Sequence, residues 1–526
     1  MKTKINLGIL TFIFIIFSII FYGKTGSMLI DFSRESYIPY QMNNGNVLIK
    51  DIFLIYGFWG YFVNSILYKL ATNINLLLIE AHIIAFLITI MFYLIIKKYL
   101  DSKLSLIFSI LFITMSIFSN STFSFVLPYS YSTLWGILGI FSTLYALLHK
   151  KKKLIFLSLS LISVCKLELF IPTLITTIFY YNYKKEKLSK ESLMLLIFPI
   201  ITALYFSIKG ACINDIKHNL ALIKTMINTD SINFLYSRMG CFFDLEKFQS
   251  RIISTLKFLP FIAISYILFI KKYIYTSLAI IFIVLIFIST NFALNLILLP
   301  TTILTIALLI KKETSAKEIL LYAFCIILCS KAIFSINPLT YSNFGYCLTL
   351  AYTYKLLAKF LNRKWLFSLL LSFLLVANIN NFYHYLKNPK EKYSTNIGTL
   401  YLSKNDKKLF EQINIYLKEN AKENETMIVV PEGQIFNLIN KKDWNFYNST
   451  FTPLDFETFG EENIINTLKE NKTDYILFYP RNTIDYGKAT ICYDYGVDFC
   501  TFVMDNYTRI AIFEEGYKAL LFKLNN

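Results

Sequence analysis

Charge is what this chain has least of: only 16% of its 526 residues are Asp, Glu, Lys or Arg. Soluble proteins carry about 25%, so a chain this poor in charge cannot clothe a globular surface in water. A single soluble domain, a coiled coil and a disordered chain are excluded together. Histidine is scarcer still. The four (His82, His149, His218, His384) are scattered without ligand spacing, and no metal or other cofactor is expected. There is no internal repeat, no low-complexity linker, and no glycine-rich nucleotide loop after the early strands expected near the C-terminus. Acid is missing unevenly. Residues 1–381 hold 14 Asp+Glu against 35 Lys+Arg, whereas residues 382–526 hold 20 against 17. The formal charge of +18 therefore belongs to the apolar part, the mark of loops between membrane spans rather than of a nucleic-acid-binding face. No nucleic-acid partner is expected.

What the chain has in abundance is apolar and aromatic: 56% hydrophobic residues, with 49 Phe and 37 Tyr. A helix crosses a bilayer with about 20 apolar residues. Such runs occur near 5–22, 74–96, 104–119, 132–148, 192–208, 254–270, 274–290, 292–310, 319–336, 342–360 and 365–381. The first could be an uncleaved signal-type segment, but no small-x-small cleavage site follows it. A further apolar stretch, 154–182, is interrupted by Lys166 and Glu168.

Lysine and arginine stay cytoplasmic, and the basic connections decide the topology. They hold Lys97, Lys98 and Lys103; Lys150 to Lys153; Lys184, Lys185, Lys187 and Lys190; Lys271 and Lys272; Lys311, Lys312 and Lys317; and Arg363 and Lys364. The turns 120–131 and 337–341 carry no charge. Both ends of 154–182 then face the cytoplasm, so the stretch crosses twice with Val164 to Glu168 at its outer tip. Its halves are short enough to be re-entrant helices buried in protein. The expected fold is a polytopic α-helical membrane domain over 1–381 with about 13 transmembrane helices and a cytoplasmic N-terminus. An extracytoplasmic α/β domain follows over 382–526. The Ile/Lys/Asn/Phe/Tyr bias is that of an AT-rich bacterial genome, making the membrane a bacterial inner membrane.

Three parts lie outside: a first loop 23–73, a second large loop 209–252, and the tail. In the tail, Asp406–Asn420 and Glu462–Glu470 have helical patterns, Met427–Val430 and Tyr475–Tyr479 read as strands, and Ala511–Leu524 is strand-like. The loops Pro431 to Gly433, Tyr447 to Ser449 and Thr458 to Gly460 either meet an acceptor at the membrane surface or are structural. Cys212 with Cys241, and Cys492 with Cys500, are candidate disulfides because each pair lies in one outside segment. Cys325, Cys329 and Cys347 read as packing residues within spans. The sequons at Asn120, Asn448 and Asn471 carry no meaning without eukaryotic machinery.

The first outer loop is the most informative segment. Asp31 stands just past a span, with Glu35 four residues on, so a helix would put both carboxylates on one face. A carboxylate at the bilayer edge is only partly hydrated, which favours its accepting a proton. The alternative is a solvated loop with an Arg34–Glu35 surface pair. The loop continues through Gly45-Asn46-Val47-Leu48-Ile49-Lys50-Asp51-Ile52-Phe53-Leu54-Ile55-Tyr56-Gly57. Together with the acid after the first span, this run resembles the GT-C superfamily of membrane glycosyltransferases. Its bacterial members include the family 39, protein mannosyltransferase-like, aminoarabinose transferase-like and lipopolysaccharide-modifying enzymes. The tip Cys165-Lys166-Leu167-Glu168 is similar to that family's lysine-bearing outer turn, and the layout of spans, long first loop and outer tail is similar too.

The resemblance implies a sugar donor linked to a polyprenyl phosphate, used on the extracytoplasmic side with inversion. A lipid, a glycan or a protein would be the acceptor. Asp31 would be the general base, and Glu35 a second acid or an orienting partner. Lys166 would meet the leaving phosphate, or form a structural ion pair with Glu168. Tyr56, Arg238, Arg251 and Lys331 are further candidates for binding substrate or phosphate, the cations having interfacial snorkelling as the alternative. Several family members carry an acidic pair in the outer loop that here runs from Asn120 to Tyr131; this stretch has no Asp or Glu, which puts a metal-dependent mechanism in doubt. Glu80 and His82 either line the cavity or bond between helices. Two other classes compete. A polytopic transporter or lipid flippase would show paired repeats and mid-membrane breaks. An O-antigen polymerase or ligase-type enzyme would place its main loop late among the spans.

Overall fold

A computed structural model of the chain describes residues 2–119, 124–186, 190–239, 242, 245–287, 301–329, 344–422 and 425–525. Lys331, Cys241 and the uncharged turn 337–341 lie outside the described residues. The first part of the chain is helical: α1 (Lys2–Phe21), α2 (Asp31–Asn43), α3 (Phe58–Leu70), α4 (Ile74–Ile96), α5 (Ser102–Phe112), α6 (Tyr131–Leu148), α7 (Lys152–Cys165), α8 (Leu167–Tyr183) and α9 (Ile197–Ile208). It continues with α10 (Ile213–Ile227), α11 (Asp230–Met239), α12 (Leu245–Leu256), α13 (Leu259–Ile270), α14 (Ile274–Phe287), α15 (Thr301–Ile310), α16 (Ala316–Cys329), α17 (Tyr346–Leu357) and α18 (Arg363–Lys387).

Among the described residues, four helical segments are long and apolar enough to cross a membrane: Lys2–Phe21, Ile74–Ile96, Tyr131–Leu148 and Lys190–Ile208. Helix α1 buries only Leu10, Phe14 and Phe21 and leaves Phe12, Ile15 and Ile19 exposed. An apolar helix surface left uncovered by protein suits lipid rather than water. Of the other expected spans, 365–381 lies within the 25-residue α18, 104–119 and 254–270 appear as shorter apolar helices, and 274–290, 292–310, 319–336 and 342–360 run partly outside the described residues. The run 254–270 breaks at residues 257–258, because Pro260 lacks an N–H and belongs in the first turn of α13.

The stretch 154–182 folds as two helices meeting at Lys166, whose extended backbone (φ −153°, ψ 119°) ends α7 and begins α8. The segment 23–73, expected as the first outer loop, carries two helices, α2 and α3. Helix α2 starts at Asp31, where a carboxylate complements the positive end of the helix dipole.

The C-terminal region forms a small sheet domain. A hairpin of β1 (Glu391–Thr395) and β2 (Gly398–Leu402) precedes α19 (Lys404–Asn420). A second sheet combines β3 (Met427–Val430), β4 (Tyr475–Phe478), β5 (Tyr507–Glu514) and β6 (Lys518–Leu524) in the order β3-β4-β6-β5. Strands β3 and β4 are parallel, and the other pairings are antiparallel. The four residues of β3 are all buried, as an uninterrupted Met-Ile-Val-Val run requires. Between the strands lie α20 (Ile435–Asn440), α21 (Pro453–Phe459), α22 (Glu461–Asn471) and α23 (Val497–Asn506). The Cys492–Cys500 disulfide closes the loop before α23, whereas Cys212 carries a free, exposed thiol.

This domain sits on α2. Tyr37 Oη donates to the Lys442 carbonyl at 2.8 Å, Gln41 Nε2 to the Trp444 carbonyl at 3.3 Å, and the Ile435 N–H to Ser33 Oγ at 2.8 Å. Tyr447 Oη donates to the Ile49 carbonyl at 2.7 Å, fixing the following loop as well.

Candidate active site

A cavity of about 980 Å³ lies between the first outer loop, the 164–168 tip, α10 and the tail domain. Asp31, Arg34, Tyr56, Lys166 and Glu168 line it from the membrane-domain side. Glu432, Thr450, Thr452, Asp455, Arg481 and Tyr486 line it from the tail.

On the membrane-domain side, Arg34 organises the acids. Its guanidinium lies 3.6 Å from both Asp31 Oδ1 and Glu35 Oε1, and Nη2 donates to the Tyr129 carbonyl at 2.9 Å. The Asp31 side chain is 34% exposed and opens to the cavity, whereas that of Glu35 is 1% exposed. Glu35 accepts from Tyr61 Oη at 2.8 Å and from the Tyr131 N–H at 2.9 Å, so it ties α2 to α3 and to the start of α6. Burial pushes the Glu35 carboxyl up, against the pull of Arg34 and these two donors. It does not line the cavity. The surface-pair alternative for Arg34 and Glu35 does not describe this loop: both side chains are buried.

Tyr56 carries the cations. Its ring centroid lies 4.6 Å from the Arg34 guanidinium carbon and 5.2 Å from Lys166 Nζ. Lys166 donates to Tyr129 Oη at 2.7 Å and pairs with Glu168 at 3.3 Å, its own side chain being 10% exposed. The sequence places Tyr56 here through its neighbour. A Cβ at Gly57 would overlap the Cys165 carbonyl, so only glycine lets the loop reach the tip. The Asp51 of the same run is a local cap, accepting from the Val47 N–H at 2.8 Å.

The tail contributes groups that the sequence reading did not single out as site residues. Glu432 follows the end of β3 and Arg481 that of β4, and the two form a buried ion pair at the carboxyl ends of neighbouring parallel strands. Binding residues collect at such ends in open sheets. Arg481 also reaches Asp485 at 3.4 Å and interacts electrostatically with Asp31. Burial pushes the Glu432 carboxyl up to about 7 against the pull of Arg481. It raises Asp455 to about 6, although Thr450 and Thr452 donate to that carboxylate.

Below and beside these polar groups the cavity is apolar. Phe21, Ile30 and Phe118 line it, and α10 presents Ile216, Leu220, Ile223 and Ile227, a helical stripe on one face.

Other candidates fall elsewhere. Arg238 does not line the cavity; it pairs with Asp485 at 3.0 Å, joining α11 to the tail. Arg251 lies in α12, with its side chain outside the described residues. Glu80 accepts from Trp135 Nε1 at 2.8 Å, and His82 Nδ1 lies 2.7 Å from the Leu78 carbonyl, so both serve helix packing rather than the cavity. Of the tail loops, Glu432 reaches the cavity, whereas Tyr447 and Phe459 pack on Phe53.

The arrangement supplies a carboxylate open to a cavity, three cations whose charge is held near it, and an apolar wall. Such a set can take a proton from a hydroxyl and stabilise a departing phosphate. Neither a scan against protein-family models nor a search of curated proteins finds a match for this chain.

Proposed function

We propose that the protein is an integral membrane glycosyltransferase that moves a sugar from a polyprenyl-phosphate donor to an acceptor hydroxyl on the extracytoplasmic side. The observation that carries this reading is the cavity itself, where the exposed carboxylate of Asp31 meets Arg34, Lys166, Arg481 and an apolar wall. In the proposed step Asp31 accepts the hydroxyl proton as the acceptor oxygen bonds to the anomeric carbon. The carbon–phosphate-oxygen bond on the opposite face breaks, and polyprenyl phosphate leaves with the electron pair. Lys166 and Arg481 receive the phosphate charge, Arg34 and Glu35 hold Asp31 in place, and the apolar wall takes the first isoprene units. The donor is already activated, so positioning and charge stabilisation are the main work left to the protein. With this function goes the proposed topology: about 13 spans in a bacterial inner membrane, the N-terminus cytoplasmic and the tail domain outside.

The test is incubation of the purified full chain with defined polyprenyl-phosphate sugars, scoring release of polyprenyl phosphate. Release by the native protein and none by Asp31→Asn, at equal expression, is the expected result. Full release by Asp31→Asn sinks the mechanism. Flux of a sugar lipid across vesicles that survives this substitution, without any release, would favour a transporter.

A further inference from the structure

The cavity has a second cationic corner that the proposed chemistry does not use. Lys24, three residues after α1, and Lys390, three residues after α18, both line it. Lys24 Nζ donates to Tyr385 Oη at 2.6 Å and sits 5.0 Å from the centre of that ring. Lys390 Nζ donates to the Gly26 carbonyl, which brings the two lysines to one turn. Gly23 and Gly26 adopt positive φ there (65° and 70°), letting the chain double back after α1. Among the described residues no carboxylate lies within ion-pair distance of either ammonium group. The segments 21–27 and 384–390 add His384 and Asn388 to the lining and no acid. Asp406 acts electrostatically on Lys390, but it does not line the cavity and accepts from Ser403, Tyr479 and Tyr517.

A largely buried ammonium group without a carboxylate in ion-pair contact is costly, and burial lowers Lys390 to about 8 against the pull of Asp406. An anion entering this corner would relieve that cost. Its depth identifies the anion's carrier. The ends of α1 and α18 mark the outer membrane boundary in the topology read from the sequence, and lipid phosphates lie at that level. The rings beside it, Phe21 against Phe382 at 5.8 Å and against Tyr385 at 5.4 Å, form an apolar flank for an acyl chain.

We infer that Lys24 and Lys390 form a second phosphate-binding subsite, separate from Lys166, that holds the phosphate headgroup of a membrane lipid acting as acceptor. Assigning the lipid as acceptor rests on the glycosyltransferase reading; the subsite itself does not. Both lysines line the same cavity as Asp31 and Lys166, so an acceptor lipid held here would share it with the donor.

The test counts ligands on the purified full chain in lipid nanodiscs, with polyprenyl monophosphate and phosphatidylglycerol as separate probes. The native protein is expected to bind both. Lys24→Gln with Lys390→Gln should weaken phosphatidylglycerol by about tenfold or more, the loss of a charge-assisted contact, and leave polyprenyl phosphate unchanged. Lys166→Gln should do the reverse. Lys24→Arg with Lys390→Arg should restore binding, which separates lost charge from lost folding. If the Gln pair weakens polyprenyl phosphate instead, the phosphate subsite stands and the donor is its source, so the acceptor assignment is overturned. Native affinity for both probes in the Gln pair overturns the subsite. Selective losses without sugar transfer from any donor would leave the subsite standing and defeat the glycosyltransferase reading.

Discussion

The cavity has two polar walls that hold their charges by different means. On the membrane-domain side Arg34 and Lys166 share one aromatic platform, Tyr56, and each bonds to Tyr129. The acids and arginine of that wall are local: Asp31, Arg34 and Glu35 share the first turns of one helix. On the tail side Glu432 and Arg481 come from loops after two strands and meet only because β3 and β4 lie parallel. The first wall presents Asp31 and Glu168 to the cavity, whereas the second buries its Glu432–Arg481 pair and leaves Asp485 exposed beside it. On the proposed function the difference gives them different tasks: the membrane-domain wall would do the chemistry, and the tail wall would set how an anionic substrate is held.

The largest effect expected from this division is at Asp31. Asp31→Asn keeps the shape and removes the base, and the rate of polyprenyl phosphate release should fall by about 10²–10⁴-fold. Arg481→Gln probes the other wall and should lower kcat/KM about a hundredfold; a native rate there would reduce the tail to a cover. Gly57→Ala tests whether the membrane-domain wall is as rigid as described. The added methyl meets the backbone carbonyl of Cys165, which cannot move aside as a side-chain end would. A loss of about 1–3 kcal/mol, read as a lower unfolding temperature, is the expected outcome.

A smaller effect concerns pH. Glu432 is raised from its ordinary 4.5 to about 7 by burial, so the folded state binds its proton more tightly than the unfolded chain does. Stability from this group is present below about 4.5 and is lost as pH rises through about 7. Unfolding temperature measured from pH 4.5 to 8 should therefore fall less steeply in Glu432→Gln than in the native protein. Identical profiles would show that the carboxyl does not titrate in this window. The smallest effect belongs to Arg238. Its pair with Asp485 leaves both side chains 45% exposed, and Arg238→Ala should cost less than about 1 kcal/mol with little change in activity.

The contrast between the walls also explains what could be read from the chain alone. In the tail, α19, α22, β3, β4 and the strand-like end of the chain are announced by periodicity, as the turn at Lys166 is by charges inside an apolar run. The hairpin β1–β2 and the helices α20, α21 and α23 are not. Arg34 was legible as a neighbour of Glu35 but not as a buried cation, because its burial depends on Tyr56, Tyr61 and Tyr129 arriving from three other segments. Glu432 and Arg481 required the pairing of strands about 50 residues apart. Charged residues directly after two strand patterns were a signal, but only the parallel register makes them neighbours. The expected span 254–270 missed the break that Pro260 imposes.

The bonds from Tyr37, Gln41 and Ser33 to the tail have a consequence for traffic. The helix that carries Asp31 is also the tail's mooring. Swinging the tail away to admit a substrate from above would break those bonds and drag on the carboxylate it serves. Under the proposed function, a sugar lipid sliding in edgewise from the bilayer would instead meet an acid already in position, so these bonds favour sideways loading over entry past the tail.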